Sequence, residues 1–261
     1  VLILGCVPRE TEDTSASDTE RLSSFEAPPI PRWRPRPRAR SRLEFELSND
    51  AARSTSLEVE DPKPLIESPF RENFDREQLG DRWSKTSERW FLEEGKLCEQ
   101  YAHNHPLWLN FRLPTNARIE FTAQSFGSDG DIKVEAWGDG KSFARGNTYD
   151  DATSYLFILG GWKNTLHVLA RLNEHGEDRL ALHVDNSRSD ARYASVETGR
   201  NYRFVIERRD GKTVSWSVDG NQLLSLEDRE PLRGSLHEHF GFNGWNEKVC
   251  FDNLLITPLV E

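Results

Sequence analysis

From Glu67 onward the chain never settles into a helical rhythm; it is cut into short apolar runs by glycine turns, and that restricts it to sheet. In Ala117 to Ser125, Ile119, Phe121 and Ala123 alternate with Arg118, Glu120 and Thr122, the period of two that sends successive side chains to opposite faces of a strand. Asp131 to Trp137 repeats the pattern, with Ile132, Val134 and Ala136 against Asp131, Lys133 and Glu135. Trp90 to Leu92 and Lys96 to Cys98 flank Glu94-Gly95 as a hairpin, and Tyr155 to Leu159 and Thr165 to Leu172 flank Gly160, Gly161, Trp162 and Asn164 in the same way. Asn201 to Arg208, Thr213 to Val218 and Gln222 to Leu226 read as a meander, because Asp210-Gly211 and Asp219-Gly220 suit type I′ turns. Phe240 to Phe242 and Lys248 to Thr257 close the series. No segment keeps a 3.6-residue period over three turns. The expected fold class is all-β, an antiparallel β-sandwich.

Composition marks where that sheet begins. All glycines but Gly5 lie beyond residue 65, and among the aromatic residues only Phe25, Trp33 and Phe45 precede it, whereas eight of the 13 prolines lie at or before Pro64. Residues 66–261 suffice to bury a two-layer core. Residues 7–65 are polar and free of glycine, hold too little apolar surface to offset the entropy of ordering them, and are expected to form a disordered leash. Within it, Leu43 to Leu47 alternates as a short edge strand does, and Arg32, Arg34, Arg36, Arg38, Arg40 and Arg42 alternate with Trp33, Pro35, Pro37, Ala39 and Ser41. Two readings of the arginine run stay open: a solvated spacer stiffened by proline, or a tether for an anionic envelope polymer. The net charge of -10 argues against a surface that tracks nucleic acid as a whole.

No apolar run approaches the roughly 20 residues that a membrane-spanning helix needs. Ile3-Leu4-Gly5-Cys6 nevertheless resembles the bacterial lipobox, with Leu4 where alanine or serine is usual. The resemblance implies that residues 1–6 are the end of a signal peptide and lipid-attachment motif, that Cys6 is a lipid anchor to the membrane, and that the protein faces the periplasm or cell surface; a monomer is expected. In such a compartment Cys98 and Cys250 are open to a disulfide, the alternative being two buried free thiols.

The order Trp90, Gly95-Lys96-Leu97, Val214-Ser215-Trp216-Ser217-Val218-Asp219-Gly220-Asn221, Phe240-Gly241-Phe242 and Phe251-Asp252-Asn253-Leu254 resembles the concanavalin A-like lectin/glucanase jelly roll. It is also similar to the bacterial sandwich family named 3-keto-disaccharide hydrolase, across about residues 70 to 258. The resemblance implies a jelly roll that recognises carbohydrate. It also implies a structural calcium where Asp75 or Asp252 stands, and no further cofactor.

Two groups of residues are candidates for chemistry. Family 16 glucanases carry Glu-x-Asp-x-x-x-Glu on a bulged strand; Asp129-Gly130-Asp131-Ile132-Lys133-Val134-Glu135 has that spacing, with the shorter Asp129 in the first position. A retaining glycosidase needs two carboxyl groups about 5 to 5.5 Å apart, and Lys133, on the face of Asp131 and Glu135, is expected to keep both ionised. The second group, Arg171, Asn173, Glu174, His175, Asp178 and Arg179, puts carboxylate, imidazole and guanidinium into one expected surface patch. As a ligand platform, Arg171 and Arg179 hold sugar hydroxyls, Trp162 and Trp245 in glycine-rich loops stack on a pyranose, and Asp131, Lys133 and Asn243 complete the set. If the protein is an enzyme, Glu135, Glu174 and His175 carry the acid/base work.

Trp90, Trp108, Trp137 and Trp216 sit within apolar runs and are expected in the core. His103 and His105 lack a third ligand for zinc and read as polar loop residues. No Gly-x-Gly-x-x-Gly, phosphate-binding Gly-Lys-Ser/Thr loop or Gly-x-Ser-x-Gly is present, so no nucleotide cofactor is expected. The first expectation for function is an exported carbohydrate-binding module. A glycoside hydrolase or lyase and a non-catalytic envelope interaction protein are the alternatives.

Overall fold

The computed structural model describes residues 63–260. Cys6, the Arg32–Arg42 run and Leu43–Leu47 lie outside the described residues. Two antiparallel sheets face each other as the jelly-roll sandwich that the sequence resembles. The strands are β1 (Phe70–Glu72), β2 (Trp83–Lys85), β3 (Trp90–Glu93), β4 (Lys96–Gln100), β5 (Leu107–Leu109), β6 (Ala117–Ser125), β7 (Ile132–Gly138) and β8 (Tyr155–Gly160). They continue with β9 (Leu166–Arg171), β10 (Leu180–His183), β11 (Asn201–Arg208), β12 (Thr213–Val218), β13 (Asn221–Glu227), β14 (His239–Asn243) and β15 (Lys248–Pro258). One sheet runs β13-β12-β11-β6-β15-β4-β3, with β1 also on β15; the other runs β10-β9-β8-β7-β14-β5-β2. The loop leading into the domain holds two three-residue strands, β1 and β2, too short to show a period in sequence.

The alternation along β6 places Ile119, Phe121 and Ala123 inside, none more than 1% exposed. Phe121 stacks on Phe204 with centroids 4.7 Å apart and meets Phe242 of the opposite sheet edge-on at 5.5 Å, so the aromatic contacts tie the two layers together. Trp90, Trp108, Trp137 and Trp216 are fully buried. Trp108 fits against β14 only because residue 241 is glycine, since a Cβ there would lie 2.9 Å from the indole. Cys98 and Cys250 are direct partners across β4 and β15, with Cα atoms 4.1 Å apart, and form a disulfide.

In β7 and β8 every residue is buried, which an alternating strand with one wet face would not give. Tyr155, Phe157 and Leu159 enter the main core. On the other face Leu156 and Ile158 join Val168 and Ala170 under Ala144, Tyr149 and Ala152 of the β7–β8 connection. That connection roofs the outer face of the sheet. Lys133 pairs with Ile158, and Glu135 with Leu156, so both charged side chains share that covered face.

Candidate functional site

Two tryptophans on different loops wall a cleft of about 300 Å³ at one end of this covered face. The first rests on a left-handed turn: Gly160, Trp162, Lys163 and Asn164 have φ of 71°, 50°, 58° and 61°. For a non-glycine residue that conformation costs about 1–2 kcal/mol, and side-chain bonding from Asn164 holds it. Asn164 Nδ2 donates to the carbonyls of Ser128 at 3.1 Å and Val196 at 2.8 Å, and its Oδ1 accepts from Val196 N at 2.8 Å. Trp162 is thereby held half-buried, edge-on to His175 at 5.4 Å, with the Arg179 guanidinium 4.5 Å over its ring. The second, Trp245, lies between β14 and β15, where its carbonyl accepts from His103 N and its ring sits 4.9 Å from the His103 imidazole. His103 is fixed in turn by a 2.7 Å contact from Nε2 to Asn246 Oδ1.

Between the two indoles lie Asp129, Asp131, Lys133, Asn147, Glu174, His175 and Glu247. Lys133 and Glu174 form a buried ion pair at 2.7 Å, with side chains 4% and 5% exposed. Asn104 closes the triangle: its Oδ1 accepts from Lys133 Nζ at 2.6 Å and its Nδ2 donates to Glu174 Oε1 at 3.1 Å. Tyr149 N donates to the same Glu174 oxygen at 3.2 Å. Burial works against the Lys133 ammonium, but Asp131 and Glu174 more than offset it, so Lys133 is held charged above the ordinary lysine value. A buried pair satisfied in this way is rigid.

The carboxyls of Asp131 and Glu135 behave differently from the sequence expectation. Lys133 does favour their ionised forms, yet loss of water outweighs it. Burial pushes Glu135 up to about 8, against the opposing pull of Ser154, Lys133, Tyr149 and Asn243. Glu135 accepts from Ser154 Oγ at 2.6 Å, Tyr149 OH at 3.3 Å and Asn243 Nδ2 at 2.7 Å; it is 0% exposed and forms no part of the cleft wall. Asp131 is also raised by burial. Although the residue as a whole is half-buried, its Oδ1 is shielded and without a partner, and its backbone is left-handed at φ 53°. Beneath the Trp245 loop, Glu99 is raised well above its ordinary value by burial, with Oε1 unpartnered under Gly244.

The structure brings Asp131, Lys133, Glu174, His175, Trp162 and Trp245 to one cleft. Arg179 stands behind Trp162 and donates to the Glu174 carbonyl at 2.6 Å. Asn243 is buried and holds Glu135. Arg171 is not in the patch expected for it: it leaves β9 toward Asp228, pairing at 2.8 Å, and donates to the Glu230 carbonyl. Asn104, Tyr149, Asn147 and Glu247 escape sequence reading because their partners are remote, Asn104 meeting a residue 70 positions away. The Asp252 carboxyl is raised by burial, with the Asp75 charge adding to it. Asp75 and Asp252 would supply two of the six to eight oxygens that calcium takes. Among the described residues no third acidic or imidazole ligand joins them; the single such cluster is Glu93 with Cys98 and Cys250, whose sulfurs are spent in the disulfide.

No protein-family model matches the sequence, and no curated protein matches it significantly. Solved structures are similar in fold. The carbohydrate-binding module CBM66 from Bacillus subtilis is 10% identical with a TM-score of 0.48, covering 67% of this chain and 95% of that one. The alginate lyase Aly36B is 12% identical with a TM-score of 0.47, covering 74% and 99%. A prokaryotic β-1,3-1,4-glucanase (lichenase) derived from a mouse hindgut metagenome is 11% identical with a TM-score of 0.49, covering 74% and 100%. At these identities the likeness is one of fold alone.

Proposed function

We propose that the cleft between Trp162 and Trp245 binds carbohydrate. The observation that carries this reading is the pairing of two half-buried loop indoles across a cleft whose wall also holds Asp129, Asp131 and Glu247. A pyranose offers the complement to both, an apolar ring face for the indoles and hydroxyl donors for the carboxyls that line the cleft. The Lys133–Glu174–Asn104 triangle keeps the floor rigid, so little ordering remains to be done on binding.

A glycan-array screen of the full chain tests the reading, followed by calorimetric titration of the bound glycans. Trp162→Ala and Trp245→Ala are each expected to weaken binding at least tenfold, about 1.4 kcal/mol, and Asp131→Asn to weaken it while leaving the fold intact. Unchanged affinity in both tryptophan variants would sink the proposal.

A second reading, turnover of the glycan by a hydrolase or lyase, is favoured by one contact. His175 Nε2 lies 3.4 Å from the buried Glu174 Oε1 while the imidazole side chain is 39% exposed, the arrangement in which a carboxylate orients a general base. Glu135 is sealed from the cleft and drops out as the acid. Product analysis after long incubation with each bound glycan separates the readings: consumption that is lost in His175→Gln establishes turnover, and an unchanged glycan leaves a binding module.

The wider reading is of an exported protein held by lipidated Cys6 on the 7–65 leash and facing the periplasm or cell surface. The Cys98–Cys250 disulfide supports it, because such bonds persist in oxidising compartments.

A further inference from the structure

The cleft does not end at Trp245. Asn147 and Trp245, which close it on one side, also line a second hollow of about 460 Å³ with His103, His105 and Phe143. Phe143 in turn lines a third hollow, of about 600 Å³, with Lys85, Lys141 and Asn110. The three therefore share walls in series, across loops that follow β7, precede β5 and follow β14. Each alone is within the size of a small-molecule pocket, and joined they exceed it.

The route is marked by a repeated device. Each of its three large rings is backed by a histidine: Trp162 by His175 at 5.4 Å, Trp245 by His103 at 4.9 Å, and Phe143 by His105 at 5.1 Å with the planes 24° apart. Phe143 is 40% exposed, although it is a large apolar side chain in a loop that also contributes to the apolar roof of the sheet. An exposed ring stacked on an imidazole is held flat and ready to receive another flat apolar surface.

Charge changes along the same route. At the tryptophan end Lys133 is taken up by Glu174, leaving Asp129, Asp131 and Glu247 against Lys163. At the far end Lys85 and Lys141 line the hollow with Asp139 as the carboxylate between them. Asp139 is engaged by the backbone N–H groups of Lys141 and Ser142, and Lys85 meets Glu88 at 3.4 Å.

We propose that the three hollows are one groove that holds a glycan chain. Phe143 is a sugar platform beyond the Trp162/Trp245 cleft, and the lysine-lined hollow takes an acidic unit of the chain. This rests on the reading of the cleft as a carbohydrate site and adds length, direction and an acidic substituent to it. A chain so held lies with a neutral unit between the tryptophans, where the surrounding carboxylates would repel a uronate.

The test uses the full chain on an array that carries neutral and uronate-bearing glycans at two, four and six or more units. Calorimetric titration of the bound series follows. Six-unit members are expected to bind at least tenfold more tightly than two-unit members. Phe143→Ala, an exposed position that does not threaten folding, should remove that gain and leave two-unit affinity within twofold. Lys141→Gln should weaken only uronate-bearing members and flatten their salt dependence. Equal affinity at every length, or Phe143→Ala weakening all lengths alike, overturns the groove and leaves the cleft standing. No binding at any length overturns the cleft, and the groove with it.

Discussion

Glu135 shows how far burial can reverse what neighbouring charge suggests. In sequence it is the last carboxylate of a glucanase-like spacing, with Lys133 two residues away to keep it ionised. In the fold the 139–154 connection covers it, and desolvation lifts it to about 8 despite three hydrogen-bond donors. A consequence for stability follows from linkage. Between the unfolded value near 4.5 and the folded value near 8, the folded carboxyl retains a proton that the unfolded chain has lost. The contribution is therefore intact below the unfolded value and declines as pH rises through the window, by about 1.4 kcal/mol per pH unit. Glu135→Gln should abolish this share, so urea titrations at pH 5 and pH 8 should show the variant gaining on the wild type by a few kcal/mol. A difference that stays constant between the two pH values would mean that Glu135 is ionised in the folded protein. At this scale the sequence made the loop tryptophans legible, because glycine-rich flanks keep indoles out of a core. The partners of Lys133 were not legible, because Asn104 and Glu174 reach it from loops distant in the chain.

Among the elements, the long alternating strands could be read directly: β6, β7, β11 and β12 each carry a period of two over six or more residues. The three-residue strands β1, β2 and β5 offer less than two periods and take their form from the neighbours they pair with. The Gly160–Asn164 turn was recognisable as a turn, but its left-handed path was not, since Trp162 and Lys163 are residues that ordinarily avoid it. Asn164 supplies the reason, through three hydrogen bonds to two other loops. Asn164→Ala should cost about 3 kcal/mol, roughly one per lost bond. Asn164→Gly should recover about 1 kcal/mol of that by removing the strain of a left-handed Cβ. Chemical denaturation of both variants checks this; equal losses would show that the side chain alone matters.

Across the whole molecule the disulfide between β4 and β15 joins residues 152 positions apart. In the chain-entropy account a loop of that size is worth about 4–5 kcal/mol. The Cys98→Ser/Cys250→Ser double variant should therefore unfold roughly 10 °C lower for a domain of this size, as calorimetry would show; a shift under about 2 °C would mean that the cystine adds little to an already closed sheet. The sandwich itself was legible because glycine and aromatic residues concentrate in one part of the chain. The second apolar layer over β7 and β8 was not, because Ala144, Tyr149 and Ala152 carry no period of their own.

The sheet that holds the disulfide has a temporal side. β15 lies between β6 and β4 and also takes β1 along its second half, so the strand nearest the C-terminal end of the domain occupies the middle of its layer. A chain that reaches its folding compartment N-terminal end first presents β6 and the β3–β4 hairpin with open edges, and no strand that arrives earlier bridges them. Folding must wait for Lys248–Pro258, and until then two unpaired strand edges stand ready to join other chains. Whatever keeps the nascent protein soluble has to guard it for the length of the domain and can let go only at the last strand.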